Sequence, residues 1–159
     1  MSDIEERLRI LEDIQEIKNL KHTYLNACDE KDVQSMLSTF VKGQCEIDYG
    51  AVGVFDNRED LGDVFTNVAC HSYMVEAHHA HNPIINIIDP NNAKGIWKLT
   101  YSLINTDDQF LTTLNGKYDD EYIKINDSWL ICKTTFTATS TLQSKIEDDM
   151  LKVIFAGSA

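Results

Sequence analysis

Four long runs of strand-forming residues fill the second half of the chain, and they restrict the possible folds more than any other feature. They cover Val75 to Ile88, Ala93 to Asn105, Phe110 to Lys124 and Ser128 to about Thr139. Short turns rich in Asp, Asn and Thr separate the runs. Because short connections join antiparallel neighbours, this pattern predicts an antiparallel meander.

The first half of the chain has the periodicity of helices. Apolar residues recur every three or four positions from Ile4 to Tyr24, behind a capping-box spacing at the N-terminus. A second and a third segment with apolar faces follow. The expected helices are a long one from Ser2 to near Cys28, a short one capped by Asp32, and a third from Arg58 to about Tyr73.

Shorter patterns complete the outline. Cys45 to Tyr49 alternates like a strand, and Val54–Phe55 is expected to pair with it across a glycine-rich turn. Gln143 to Lys152 has helical spacing, and Phe155 to Ala159 is expected to be loose. Helices followed by an antiparallel sheet indicate the α+β class, in a single domain spanning residues 1–159.

The composition excludes several classes of partner. With 26 acidic and 14 basic residues, the net charge is -12, which opposes binding to nucleic acid or to an anionic membrane. No apolar run is long enough to span a bilayer, and no secretory signal pattern is present. The cysteines, Cys28, Cys45, Cys70 and Cys132, form no Cys-x-x-Cys pair. We therefore expect free thiols and a soluble, cytoplasmic protein.

Three of the five histidines lie within four residues, at His78, His79 and His81. On a strand, His78 would share one face with Ala80 and Asn82, and the other two histidines would share the opposite face. An imidazole titrates near neutrality, so a pocket-facing His78 would suit general acid or base catalysis. The alternatives are ordinary half-exposed histidines or a metal site. Because no nearby ligand set completes such a site, we expect no metal.

A sheet of long, twisted strands must curl around the helices packed on it, which leaves a cavity between the two layers. The alternative is a closed core, but a core rarely holds a His, an Asn and several Tyr hydroxyls together, since each needs a partner. The expected cavity residues are Tyr24, Cys28, Tyr49, Phe65, His78, Asn82, Trp97, Leu99, Tyr101 and Leu103.

Several segments, in this order, resemble the SnoaL-like branch of the NTF2-like superfamily. They are Ile17 to Asp29, with a Tyr five residues before the Asp, then His78 to Pro83, Gly95 to Trp97, Gly116 to Tyr122 and Asp127 to Trp129. The resemblance implies a cone-shaped α+β barrel, in which three N-terminal helices pack on a strongly curved, mostly antiparallel sheet with a deep pocket. It also implies a homo-oligomer, a dimer or a trimer.

Members of this family include bile-acid 7α-dehydratase, scytalone dehydratase and hexachlorocyclohexane dehydrochlorinase, which use a His–Asp dyad and neither metal nor organic cofactor. By resemblance, His78 is the base, Asp29 its partner and Tyr24 a catalytic tyrosine. Tyr101 stands where the bile-acid enzyme has a second aspartate. The other expected substrate contacts are Tyr49, Asn82, Trp97 and Phe65, together with Tyr101.

The sequence therefore predicts a cofactor-independent lyase or isomerase that acts on a small, cyclic, hydrophobic molecule. A non-catalytic domain that binds an apolar ligand in the same pocket is one alternative, and a structural or oligomerising module is another. The long strands carry apolar residues on both faces, so we expect the homo-oligomer to form through the outer face of the sheet.

Overall fold

The computed structural model describes residues 2–147 and 150–156. The chain forms three helices and a sheet of six strands; two helices come before the first strand, and the third lies between the second and third strands. The elements are α1 (Asp3–Asp29), α2 (Val33–Ser38), β1 (Gln44–Asp48), β2 (Val54–Asn57), α3 (Arg58–Val68), β3 (Met74–Asp89), β4 (Asn92–Asn105), β5 (Phe110–Ile125) and β6 (Ser128–Lys145).

The strands lie in the order β2-β1-β6-β5-β4-β3. All neighbours are antiparallel except β1 and β6, which pair in parallel. The predicted α+β class and the meander from β3 to β6 are both confirmed. The described strands form an open sheet, with β2 and β3 at its edges, so the cone is not a closed barrel.

α1 begins and ends where its sequence signals place it. The Ser2 hydroxyl accepts a hydrogen bond from the Glu5 N–H at 3.2 Å, and the Glu5 carboxylate accepts one from the Ser2 N–H at 2.7 Å. The last helical residue is Asp29, with Glu30 as the C-cap and Lys31 in the left-handed region at φ 59°. The predicted long helix is confirmed, and it projects Asp29 from its end.

Packing of α1 against the sheet starts near Asp13. The Asp13 carboxylate is buried and accepts hydrogen bonds from Lys124 Nζ at 2.7 Å and from Trp129 Nε1 at 2.9 Å. Ile17, one helical turn later, is fully buried. The earlier residues of the apolar stripe, Ile4, Leu8 and Leu11, are exposed in the described chain. The stripe is therefore a core face only over its second half.

The two short helices have side-chain caps. Asp32 accepts a hydrogen bond from the Ser35 N–H at 3.0 Å at the start of α2, and Asn57 accepts one from the Asp60 N–H at 2.8 Å at the start of α3. Both predicted helices are confirmed. α3 ends at Val68, earlier than the predicted end near Tyr73, because a turn follows it and leads into β3.

A bulge interrupts β3 at Asn82 and Pro83. The pairing with β4 steps so that these two residues lie opposite Trp97 alone. Asn82 adopts the left-handed conformation at φ 48°, which Asn tolerates, and Pro83 has no N–H to donate to the ladder. The extra residue resets the alternation of faces, so Ile85 packs against the core while Asn82 is exposed.

The end of β6 differs from the sequence-based expectation. The helix predicted from Gln143 to Lys152 is wrong at Gln143–Lys145, which continue β6 and pair with the first residues of β5. Cross-strand pairing overrides the local helical spacing there. The remaining described residues of that segment, 146–147 and 150–152, are not helical either, and residues 148–149 lie outside the described part of the chain. Of the loose segment predicted from Phe155 to Ala159, residues 157–159 also lie outside it.

Ile84, Ile88 and Ile96 are exposed, and Ile84 and Ile96 pair side by side on the outer face of the sheet. This is the face predicted to form the homo-oligomer, and that assembly stays a prediction. Among the described residues, no helix combines the length and the apolar character that crossing a membrane requires.

Candidate active site

A cavity of about 300 Å³ lies between the helices and the inner face of the sheet. Its wall is formed mainly by aliphatic and aromatic side chains from α1, α3 and the sheet, including Phe65, Leu99 and Phe136. A few polar groups point into this apolar space, among them His78, Tyr101 and Glu76. A cavity of this size and character suits a small molecule of one or two rings.

His78 lines the cavity, and Asp29, which lies outside the lining, contacts it through both carboxylate oxygens. One Asp29 oxygen, Oδ1, lies 2.6 Å from His78 Nδ1, and the other, Oδ2, accepts a hydrogen bond from the His78 backbone N–H at 3.0 Å. A carboxylate can only accept, so the Nδ1 that faces it carries a proton. Nε2 of a neutral ring is then the free acceptor. The predicted contact between Asp29 and His78 is thus present, and the catalytic role of the pair stays a prediction.

Tyr24 and Tyr49 meet inside the same cavity. Their hydroxyl oxygens are 2.8 Å apart, so one hydroxyl donates to the other and one O–H remains to donate elsewhere. Burial raises the pKa of both phenols well above the ordinary value. Both therefore stay protonated and serve as hydrogen-bond donors rather than as acids. Cys28 beside them is also neutral, since burial raises the pKa of its thiol to about 12.

Glu76 and Lys31 belong to the site but were not predicted from the sequence. Glu76 lies two residues before His78 on β3 and lines the cavity. Its Oε1 accepts a hydrogen bond from the Tyr101 hydroxyl at 2.7 Å, and its Oε2 forms an ion pair with Lys31 Nζ. The two-residue spacing to His78 was an available signal, because it places both side chains on one face of a strand.

Of the predicted site residues, Tyr24, Tyr49, Phe65, His78 and Tyr101 line the cavity together. Asn82 and Trp97 do not, and this corrects the sequence-based expectation. The bulge turns Asn82 to the surface. Trp97 is buried outside the cavity lining, where its Nε1 donates to the Tyr122 hydroxyl at 2.9 Å. Leu103, also expected in the lining, lies outside it.

His79 and His81 are exposed, as expected for the face opposite His78. Their rings stack with centroids 6.3 Å apart. Across residues 2–147 and 150–156, no group of three or more His, Cys, Asp or Glu side chains is arranged to hold a metal ion. The metal-free mechanism stays a prediction.

Buried tyrosines predict a steep loss of stability at alkaline pH. Burial raises the pKa of Tyr24, Tyr49, Tyr101, Tyr118 and Tyr122 above the ordinary value, so the folded state disfavours the phenolates. The unfolded chain releases these protons near pH 10, and each tyrosine then costs about 1.4 kcal/mol of stability per pH unit.

The contribution of these tyrosines is complete below about pH 10 and is lost as pH rises beyond it. We expect tyrosinate absorbance and loss of circular dichroism to appear in one transition. Ionisation of the tyrosines well before unfolding would contradict the burial of these phenols.

Solved structures of other proteins share this fold. A scytalone dehydratase-like protein of Novosphingobium aromaticivorans has a TM-score of 0.78 and 17% identity, over 87% of this chain and 92% of that one. Hexachlorocyclohexane dehydrochlorinase LinA-type3 of Novosphingobium barchaimii has a TM-score of 0.79 and 16% identity, over 92% and 98%. A protein of unknown function with a cystatin-like fold from Nostoc punctiforme has a TM-score of 0.65 and 23% identity, over 79% and 90%. The fold is NTF2-like.

The family follows from the sequence itself. Residues 9–135 match the SnoaL-like domain family, and the chain belongs to this family. The matched range contains Asp29, His78 and Tyr101, the three residues on which the site is centred. The resemblance noted in the sequence is thereby confirmed.

Proposed function

We propose that the chain is a cofactor-independent lyase or isomerase that acts on a small, cyclic, largely hydrocarbon molecule in the cavity. One observation carries the proposal, namely that Asp29 holds His78 by Nδ1 inside an apolar cavity. A neutral imidazole in this position removes a proton from carbon through Nε2. The Asp29 carboxylate fixes the tautomer and stabilises the imidazolium that forms.

The electrons and protons of the reaction balance within the site. As His78 takes the C–H proton, the carbon electron pair forms a double bond, either expelling a hydroxide or halide from the next carbon or moving into a carbonyl. The second O–H of the Tyr24–Tyr49 pair, the one not donated within the pair, stabilises the negative charge that develops on oxygen. Because these phenols are too weakly acidic to give up a proton, the His78 imidazolium returns its own proton to the leaving oxygen or to carbon. When a halide leaves as the anion, the imidazolium releases its proton to water.

The character of the cavity and the names of similar structures support this proposal. The walls offer aliphatic and aromatic surface, with few polar groups to orient a ligand. Two of the similar structures carry names that refer to loss of water or of hydrogen chloride. Both reactions begin with removal of a proton from carbon, which is the step that a His–Asp pair performs here.

Hydrogen exchange at carbon tests the proposal without knowledge of the natural substrate. The probes are 1-decalone and a cyclic β-hydroxyketone, incubated with the protein in D2O and analysed by mass spectrometry for deuterium uptake and for loss of water. We expect His78→Gln to lower the protein-catalysed rate by about 10²- to 10⁴-fold. His79→Gln, which alters the exposed neighbour on the opposite face, serves as the matched control and should keep the wild-type rate.

A different result would favour the second candidate, a ligand-binding domain. If wild type and His78→Gln bind the probes equally well and neither accelerates exchange, the cavity binds without catalysis. The apolar lining alone is compatible with that function.

A further inference from the structure

Glu76, Tyr101 and Lys31, which we call the Glu76 cluster, form a linked set at the cavity. Tyr101 donates to one oxygen of the Glu76 carboxylate, and Lys31 is paired with the other. The side chains of Glu76 and Lys31 are only 7% and 10% exposed. We propose that this cluster makes Tyr101 a fixed hydrogen-bond acceptor, so that the cavity selects ligands carrying a hydroxyl donor beside the His78 ring.

The proton of Tyr101 is committed to Glu76. The O···O distance is 2.7 Å, and an ionised carboxylate has no proton to give in return. The Lys31 ammonium pairs with the second oxygen of this carboxylate in a nearly buried position, and its positive charge favours the ionised form. A phenol has one proton and two lone pairs, so Tyr101 has only lone pairs left for a ligand.

The neighbouring group on the His78 side is also an acceptor. The rings of His78 and Tyr101 lie with centroids 4.6 Å apart, and both line the cavity. Asp29 holds the proton of the neutral ring on Nδ1, which leaves a lone pair on Nε2. Two acceptors therefore face the cavity side by side. A hydroxyl bound there has a partner for its proton, whereas an ether, a carbonyl or a halide would leave buried lone pairs facing one another.

The cavity therefore has a hydrogen-bond donor in one part of its lining and a hydrogen-bond acceptor in another. The Tyr24–Tyr49 pair has a second O–H that can donate to an acceptor on the ligand, while Tyr101, beside His78, accepts from a donor on the ligand. A cyclic molecule with one hydroxyl and one further oxygen satisfies both. This inference rests on the cavity of the proposed function, but it concerns binding and needs no turnover.

Two unreactive probes of the same ring size test the inference. 2-Naphthol presents a hydroxyl donor, and 2-methoxynaphthalene presents only an acceptor. Their dissociation constants are measured by fluorescence titration at neutral pH. We expect wild type to bind 2-naphthol about tenfold more tightly than the ether, since leaving a buried acceptor unpaired costs about that factor in affinity. Tyr101→Phe, which keeps the ring and removes the oxygen, should reduce this preference to about twofold or less.

A second variant tests the role of Glu76 itself. In Glu76→Gln, the side-chain amide can donate to the Tyr101 oxygen and release the phenol proton towards the cavity. We therefore expect the ratio of the two dissociation constants to shift towards the ether. Tyr73→Phe, a tyrosine outside the cavity lining, is the matched control and should keep the wild-type ratio. Circular dichroism verifies that each variant is folded.

Equal affinities for the two probes in wild type, no binding of either probe, or an unchanged ratio in Tyr101→Phe would each overturn the inference. The proposed function fails separately. If deuterium exchange is absent but the hydroxyl preference is found, the Glu76 cluster selects ligands in a non-catalytic pocket. If exchange is found without the preference, His78 is the base and Tyr101 does not select for a hydroxyl.

Discussion

Asp29→Asn is expected to reverse the tautomer of His78 and to lower any proton-abstraction rate by about 10²- to 10⁴-fold. Asp29 makes two contacts with His78, one to the backbone N–H and one to Nδ1. In the variant, the amide oxygen is the only group that can accept from the backbone N–H, so the amide NH2 turns to Nδ1. Nδ1 must then accept, the ring proton moves to Nε2, and the lone pair that acts as the base is lost.

Nitrogen-15 NMR of the imidazole distinguishes the two tautomers directly and requires no substrate. We expect Nδ1 to be protonated in wild type and Nε2 to be protonated in Asp29→Asn. Glu30→Gln is the matched control, because it removes the same charge from the adjacent, exposed residue. If Nδ1 stays protonated in Asp29→Asn, Asp29 does not set the tautomer and the proposed catalysis loses its structural basis.

The positions of Asp29 and His78 in their elements were predictable because each residue carries a clear local signal. The helical periodicity ends near Cys28, directly before Asp29, and the strand that contains His78 follows a recognisable pattern. The resemblance to a family supplied the contact between them, which neither pattern contains. Asp29 stands behind the ring rather than in the cavity lining. It therefore needs no place on the helix stripe that carries Tyr24 into the cavity.

The misplaced residues have specific physical causes. Asn82 was expected inside because a strand alternates faces, but the bulge at Asn82–Pro83 adds a residue and breaks the alternation. Trp97 was placed on the correct face, yet it is buried outside the cavity lining and hydrogen-bonded to Tyr122 of the next strand. The alternation of side chains along a strand predicts neither a shift in strand register nor whether an inward-facing residue reaches the cavity.

Glu76 was missed because its partner lies 45 positions earlier in the chain. The left-handed conformation of Lys31 after α1 turns the chain back, and the lysine reaches β3. The parallel pairing of β1 with β6 was missed for the same reason, since strands so far apart in sequence leave no turn signal between them. Local patterns thus predicted the elements, while the long-range contacts that complete the site depend on how those elements pack.

A second buried ion pair lies beneath the cavity, where Lys21 of α1 meets Asp120 of β5. Lys21 Nζ lies 2.9 Å from Asp120 Oδ2, and both side chains are 0% exposed. The carboxylate also accepts from the Tyr122 hydroxyl at 2.7 Å and from Thr134 Oγ1 at 2.6 Å. The ammonium sits 3.5 Å from the centre of the Tyr118 ring, which lines the cavity. The pair thus joins the helix, the sheet and the cavity wall.

Removing one member of this pair is expected to destabilise the fold by about 3–5 kcal/mol, because it leaves an uncompensated charge in the interior. Asp120→Asn keeps the shape and leaves the Lys21 ammonium without its counter-charge. Lys21→Met leaves the Asp120 carboxylate without its counter-charge. Lys21→Met with Asp120→Asn removes both charges, so its cost should be well below the sum of the two single costs. Urea unfolding of the four proteins measures the coupling. Lys94→Met, at an exposed pair with the same 2.9 Å separation, is the control and should change stability little.

The pH dependence of Asp120→Asn provides an independent test of the same pair. Burial lowers the pKa of Lys21, and the negative charge of Asp120 raises it. In Asp120→Asn the opposing effect of that charge is lost. The folded variant then binds fewer protons than the unfolded chain, so its stability should rise as pH increases from neutrality towards about pH 10. Wild type should show a shallower rise over this range, since the carboxylate favours the ammonium. Parallel stability curves for the two proteins would mean that Asp120 does not compensate the charge of Lys21.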